Sequence, residues 1–111
     1  MENKIFSFLG LAQRSGQLVT GEDTCTLYAK KKAIQLIIIP QDASENTKKK
    51  FKDMANHRNI PFLIYANRES LSKAVGKSNR TVYGIKDKGF ATKILSLVQD
   101  EKECPNHLGG E

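Results

Sequence analysis

Leu18-Val19-Thr20-Gly21-Glu22-Asp23 opens the stretch that decides the fold, and that stretch runs on to Ile39. A short apolar pair leads into Thr20-Gly21 and two acids. Cys25, Tyr28 and Ala29 then fall at helical spacing, Lys30-Lys31-Lys32 closes the helix, and Leu36-Ile37-Ile38-Ile39 is an unbroken apolar run. The order reads as strand, tight turn, helix, buried strand. Thr20 has the features of an N-cap, with Asp23 at the third helical position, where its carboxylate can reach back to the cap amide in an acidic variant of the capping box. Gly21 then stands at the mouth of a helix whose unpaired amides and positive dipole end face outward, with no side chain to hold a ligand away. The plainer reading of Thr20–Asp23 is a capped helix start alone, because helix starts are far commoner than ligand sites built on them.

The same alternation continues on both sides. Ile5, Phe8, Leu9 and Ala12 recur at i, i+3, i+4, i+7, so residues 4–14 form a core-facing helix that Gly16 ends. Leu36–Ile39 lacks any polar alternation, the pattern of a strand covered on both faces. After Pro40, Ser44 is placed to cap a third helix with Thr47, Phe51, Met54 and Ala55 inward; Lys48-Lys49-Lys50 and Lys52 read as a solvated outer row, and Asn59 as the stop. Ile60–Tyr65 is the next strand, Asn67 caps a short helix through Val75, and Thr81–Ile85 is a further strand. Asp87 caps a last helix with Phe90, Ile94, Leu97 and Val98 on one face. Helices alternating with short apolar strands predict a three-layer α/β/α sandwich around one mixed, mostly buried sheet.

With 111 residues the chain fits one domain, assigned to residues 1–99, with 100–111 expected as a disordered acidic tail. No apolar run approaches the roughly 20 residues of a membrane span, and no signal peptide is evident, so a cytoplasmic monomer is expected, with no membrane partner. Two cysteines, Cys25 and Cys104, make no disulfide framework and read as free thiols. Cys104 with His107 leaves a zinc site short of ligands, and His57 is an unconvincing third, so neither metal nor cofactor is expected. The formal charge of +6 understates the asymmetry, because the tail holds Asp100, Glu101, Glu103 and Glu111 against Lys102 alone. A body this basic favours a polyanion as partner, nucleic acid first.

An enzyme reading has little to hold: no Gly-rich phosphate loop, no nucleophile elbow, two isolated histidines, and adjacent Glu22 and Asp23 that point in different directions on a helix. No small-molecule substrate is expected. A binding reading has more. Parallel α/β sheets place ligands at loops leaving the carboxyl ends of strands, here Thr20–Asp23, Pro40–Ser44, Ala66–Asn67 and Lys86–Lys88. The first combines a glycine, a helix start and acids, with Arg14 and Lys30–Lys32 near in sequence. Carboxylates within a basic surface suit the N1–H and N2–H₂ donors of guanine, a base-reading pattern on a phosphate-binding background.

Gly-Leu-Ala-Gln-Arg-Ser-Gly (10–16), Leu-Val-Thr-Gly-Glu-Asp (18–23), Pro-Gln-Asp-Ala-Ser-Glu-Asn-Thr (40–47) and Asp-Lys-Gly-Phe-Ala (87–91) together resemble the YlxQ-type bacterial members of the ribosomal protein L-seven-Ae family of kink-turn RNA binders. The resemblance covers about residues 3–98. It implies the three-layer sandwich, and RNA binding by the start of the second helix and the loop before the last strand. The family's Gly-x-Asn-Glu-x-x-Lys motif begins at Gly21, with Asp23 at the asparagine, Thr24 at the glutamate and Leu27 at the lysine. The loop that packs on a flipped-out base in the family falls at Gly76–Thr81, here polar and basic, which suits phosphate. The expected RNA-binding set is Arg14, Thr20, Gly21, Glu22, Asp23, Lys31, Lys32, Lys77, Ser78, Asn79 and Arg80, in a protein associated with structured RNA, the ribosome or its assembly. The alternative is a protein-interaction module on the same fold with only non-specific RNA affinity.

Overall fold

A computed structural model describes residues 4–77 and 80–103. In chain order the elements are α1 (Lys4–Arg14), β1 (Leu18–Thr20), α2 (Glu22–Lys30), β2 (Leu36–Ile39), α3 (Glu45–His57), β3 (Phe62–Ile64), α4 (Arg68–Ala74), β4 (Tyr83–Ile85) and α5 (Lys88–Glu103). They build the expected three-layer α/β/α sandwich. All four residues of β2 are buried, and because side chains alternate along a strand they divide between two cores. Leu36 and Ile38 join Ile5 and Leu9 of α1, Leu71 of α4, Tyr83 and Ile85 of β4, and Ile94 and Val98 of α5. Ile37 and Ile39 face the other way, onto Cys25 of α2 and Phe51 and Ala55 of α3.

The sheet order is β1-β4-β2-β3. β3 runs parallel to β2, joined by the α3 crossover, whereas β4 lies between β1 and β2 and antiparallel to both, with Thr20 opposite Tyr83 and Tyr83 opposite Ile38. The carboxyl ends of β1, β2 and β3 therefore share one edge of the sheet with the amino end of β4. This corrects the grouping expected for a parallel sheet, because Lys86–Lys88 leaves β4 at the opposite edge. The connection from β3 sets this: α4, seven residues or roughly 10 Å, ends at Gly76 in a left-handed conformation (φ 71°), and the chain re-enters the sheet at the edge at which β3 left it.

The caps at Ser44 and Asn67 form as expected, each side chain accepting from the third residue on at 3.1 and 2.8 Å, and the Asp87 carboxylate accepts from Phe90 N at 2.9 Å. The cap at Thr20 does not. Thr20 stays in β1, paired with Tyr83, and the N-cap position of α2 belongs to Gly21, which has no side-chain cap bond. Ladder pairing continues one residue further, through a Gly21 N–H to Val82 carbonyl bond of 3.0 Å, and outcompetes the local cap. α5 also runs on through Glu103, so residues 100–103, expected in the tail, form its last turn. The remainder of the tail, 104–111, with Cys104 and His107, lies outside the described residues.

Candidate RNA-binding edge

Gly21 has φ 97° and ψ 150°, a conformation close to glycine-only, and a Cβ built there would meet no atom within 4 Å. The backbone requires glycine and the space above it is open. Cys25 N donates to Gly21 O at 3.0 Å as the first bond of α2, and the amides that precede it have no side-chain cap. Through the bond to Val82 the same glycine is fixed to the loop that leads into β4, so the start of α2 and the segment carrying Arg80 and Thr81 lie side by side.

That loop is held from beneath by a closed ring of hydrogen bonds. Arg80 N donates to Ser72 Oγ (3.2 Å), Ser72 Oγ lies 2.8 Å from the Tyr83 hydroxyl, and that hydroxyl donates to the Arg80 carbonyl (3.0 Å). Tyr83 is fully buried, and Ser72 is a buried polar residue of the short helix α4. Burial pushes the Tyr83 hydroxyl above its ordinary range, against the lowering effect of its bond to Ser72, so it stays a neutral donor. Both backbone polar groups of Arg80 are thus fixed while its side chain remains exposed.

The neighbouring turns join the same edge. Ser44 Oγ donates to Thr47 Oγ1 (3.0 Å), which donates to the Glu22 carboxylate (3.3 Å), and Lys50 Nζ pairs with Glu22 at 3.4 Å. Gln41 N donates to the Ala66 carbonyl (2.7 Å), and the Asp42 carboxylate accepts from Arg68 N (2.8 Å). Glu22 is half-buried and engaged by α3. Asp23, one residue on, is exposed and has no carboxylate partner bond among the described residues, so it is the acceptor free to meet a ligand.

The expected site residues divide. Thr20, Gly21, Glu22, Asp23 and Arg80 come together, with Lys77 exposed on the same α4–β4 loop. Ser78 and Asn79 lie outside the described residues. Lys31 and Lys32 do not join them: they follow the far end of α2, about 15 Å along its axis from Gly21 at 1.5 Å per residue, beside the edge where β2 begins. Arg14 ends α1, four residues before Leu18, and its guanidinium lies back along α1 by Gly10 and Ala74 of α4, away from Gly21 and its partners. Three contributors escaped the sequence reading. Lys50 was assigned to a solvated row, although its i+3 spacing from Thr47 places both on the side of α3 that meets Glu22. Ser72 and Tyr83 carried no local signal, since their pairing depends on how β4 enters the sheet.

The fold and the uncapped glycine edge define a small α/β sandwich of the ribosomal-protein type. The family model for the ribosomal protein L7Ae/L30e/S12e/Gadd45 family matches residues 3–95, and the chain belongs to that family. It is 37% identical over 93 residues to the RNA-binding protein YlxQ of Bacillus subtilis (strain 168), covering 84% of this chain and 93% of that protein. To the RNA-binding protein YlxQ of Enterococcus faecium it is 35% identical over 96 residues, 86% and 92% of the two chains. Its structure is similar to that of a protein of unknown function from Bacillus halodurans, with TM-score 0.86, 40% identity and coverage of 88% and 99%. The 15.5kD RNA-binding protein of Giardia lamblia shares the fold, with TM-score 0.71 at 12% identity over 92% and 91% of the chains.

Proposed function

We propose that this protein is an RNA-binding protein whose contact surface is the edge shared by the start of α2 and the α4–β4 loop, and that it recognises structured, kink-turn-like RNA in the cytoplasm, on the ribosome or during its assembly. The observation that carries the reading is the bond from Gly21 N to Val82 O, which sets a bare, uncapped helix start beside the loop of Arg80. Lys77 and Arg80 supply phosphate contacts, the open space at Gly21 lets a nucleic-acid backbone approach the free amides, and Asp23 accepts from a guanine edge. Glu22 acts indirectly, holding α2 against Thr47 and Lys50. The relatives named RNA-binding protein YlxQ support the partner class, and the family supports the RNA type.

The test titrates the protein against a kink-turn hairpin and against the same hairpin closed into a plain duplex. Asp23→Ala should weaken binding to the kinked form by about 1–3 kcal/mol and leave duplex binding unchanged, as expected of a base contact, whereas Arg80→Glu should weaken both. Equal affinity of the parent protein for the two RNAs would refute kink-turn recognition. A second reading, a protein-interaction module, draws on Leu27, which is 50% exposed on α2 where the resemblance expects a lysine. It expects Leu27→Lys to raise affinity for the kinked hairpin and the plain duplex alike at low salt, and that gain to vanish at high salt.

A further inference from the structure

We propose a second RNA contact at the opposite edge of the sheet, formed by Lys31 and Lys86 around the ring of Tyr28. It rests on the RNA-binding reading above, and takes the phosphate backbone of the same RNA. Lys31 follows α2 and Lys86 follows β4, yet their ammonium groups lie 5.9 and 5.2 Å from the centroid of the one ring. Two cations from different elements thus converge on half-buried Tyr28. Among the described residues neither is paired with a carboxylate, in contrast to Lys48, Lys49 and Lys50, which pair with Glu45, Asp53 and Glu22.

The acid nearest in sequence is Asp87, and its carboxylate is engaged at the start of α5, on Phe90 N. Attraction of each ammonium to the half-buried tyrosine ring is weak, and the two like charges oppose one another, so the arrangement favours an anion that neutralises both. A nucleic-acid backbone does so with successive phosphates. Contact with Tyr28 biases both ammoniums toward one place, which lowers the entropy lost when they engage.

The site stands about 15 Å along α2 from Gly21. An RNA held at the first edge would therefore reach it only by extending along the outer face of that helix, where Asp23, Leu27 and Lys30 are exposed. The added affinity is that of a tethered second contact rather than of a separate site.

The experiment measures the salt dependence of binding to a labelled kink-turn hairpin whose lower stem is extended by one helical turn. In Lys31→Glu/Lys86→Glu, affinity at low salt should fall at least tenfold, and the slope of log K against log salt should flatten by roughly 1.4–1.8, since each of the two phosphate contacts contributes about 0.7–0.9. Lys31→Arg/Lys86→Arg should bind as the parent does. Lys49→Glu/Lys52→Glu, with the same change in net charge on α3, should flatten the slope by less than half as much. Circular dichroism confirms folding of each variant. If the α3 variant matches the Lys31/Lys86 variant, only net charge matters and the second contact is overturned. If the parent binds the hairpin but the Lys31/Lys86 variant keeps its slope, the second contact fails and the Gly21 edge stands. If the parent binds no RNA, both fall.

Discussion

Gly21 and Gly84 are both irreplaceable, for opposite reasons, and substitutions at the two should therefore part company. Gly21 has room for a side chain but a φ that denies it one, so Gly21→Ala should cost about 1–3 kcal/mol of stability through strain alone. At Gly84 the backbone is permissive and space is absent: a Cβ would lie 2.6 Å from Ile34 Cδ1, 3.2 Å from Val19 Cγ2 and 3.3 Å from Cys25 Sγ. Gly84→Ala should cost about 1–3 kcal/mol by displacing the buried Ile34 side chain and crowding Val19 and Cys25, read as a lower urea midpoint, with RNA affinity unchanged while the protein is folded. Cys25, against that same glycine, is fully buried, and desolvation pushes its thiol from 9.0 up to about 12. The folded state thus keeps the proton that the unfolded chain loses. This contribution to stability is present below pH 9.0 and is lost as pH rises from there toward 12. In a Cys104→Ser background, alkylation of Cys25 at pH 8 should be on the order of a thousandfold slower than in urea, and a rate within tenfold of the denatured one would show the thiol is accessible.

Three of the helices were legible because each carries a cap, Ser44 for α3, Asn67 for α4 and Asp87 for α5, and α1 because its apolar residues recur at period 3.6. So was β2, whose Leu36–Ile39 has no polar face to misplace. What escaped was decided by pairing between distant segments. Thr20 looks like a cap in isolation and is a strand residue once Tyr83 lies opposite it. The direction of β4, and with it the edge on which each loop falls, is invisible in a run such as Thr81–Ile85, which reads the same for either sense of pairing. The Arg80 loop is the consequence that bears on the proposed RNA contact, since the buried Ser72–Tyr83 hydroxyl pair holds it. Ser72→Ala leaves Arg80 N without its acceptor and removes a partner of the Tyr83 hydroxyl, so it should cost about 1–3 kcal/mol. Ser72 is buried, so its loss should also lower RNA affinity without removing an exposed contact group. The check is amide exchange at Arg80, which should quicken relative to the β2 amides; unchanged exchange would show the loop is held by something else.

Charge over the chain separates what sequence neighbours had grouped. Lys31, Lys32 and Arg80 read as one basic surface, but β4 running against its neighbours puts Arg80 at one edge of the sheet and the two lysines at the other. Their shared charge gave no warning, because charge says nothing of where an element points. The acidic end of α5 belongs to the same balance. Tyr65 OH donates to both carboxylate oxygens of Glu101 at 3.2 Å, so the last turn of that helix is anchored to the residue that follows β3. Deleting residues 101–111 removes this exposed bond, at a cost of roughly 0.5–1.5 kcal/mol, and also removes Glu101, Glu103 and Glu111 against Lys102. The shortened protein should melt slightly lower yet bind RNA more tightly at low salt, and that gain should fade as the Debye length falls from about 10 Å at 0.1 M to 3 Å at 1 M. Thermal melts beside titrations at two salt concentrations decide it: a gain in affinity that persists at high salt would mean the deleted segment obstructs the RNA surface directly instead of repelling the polyanion.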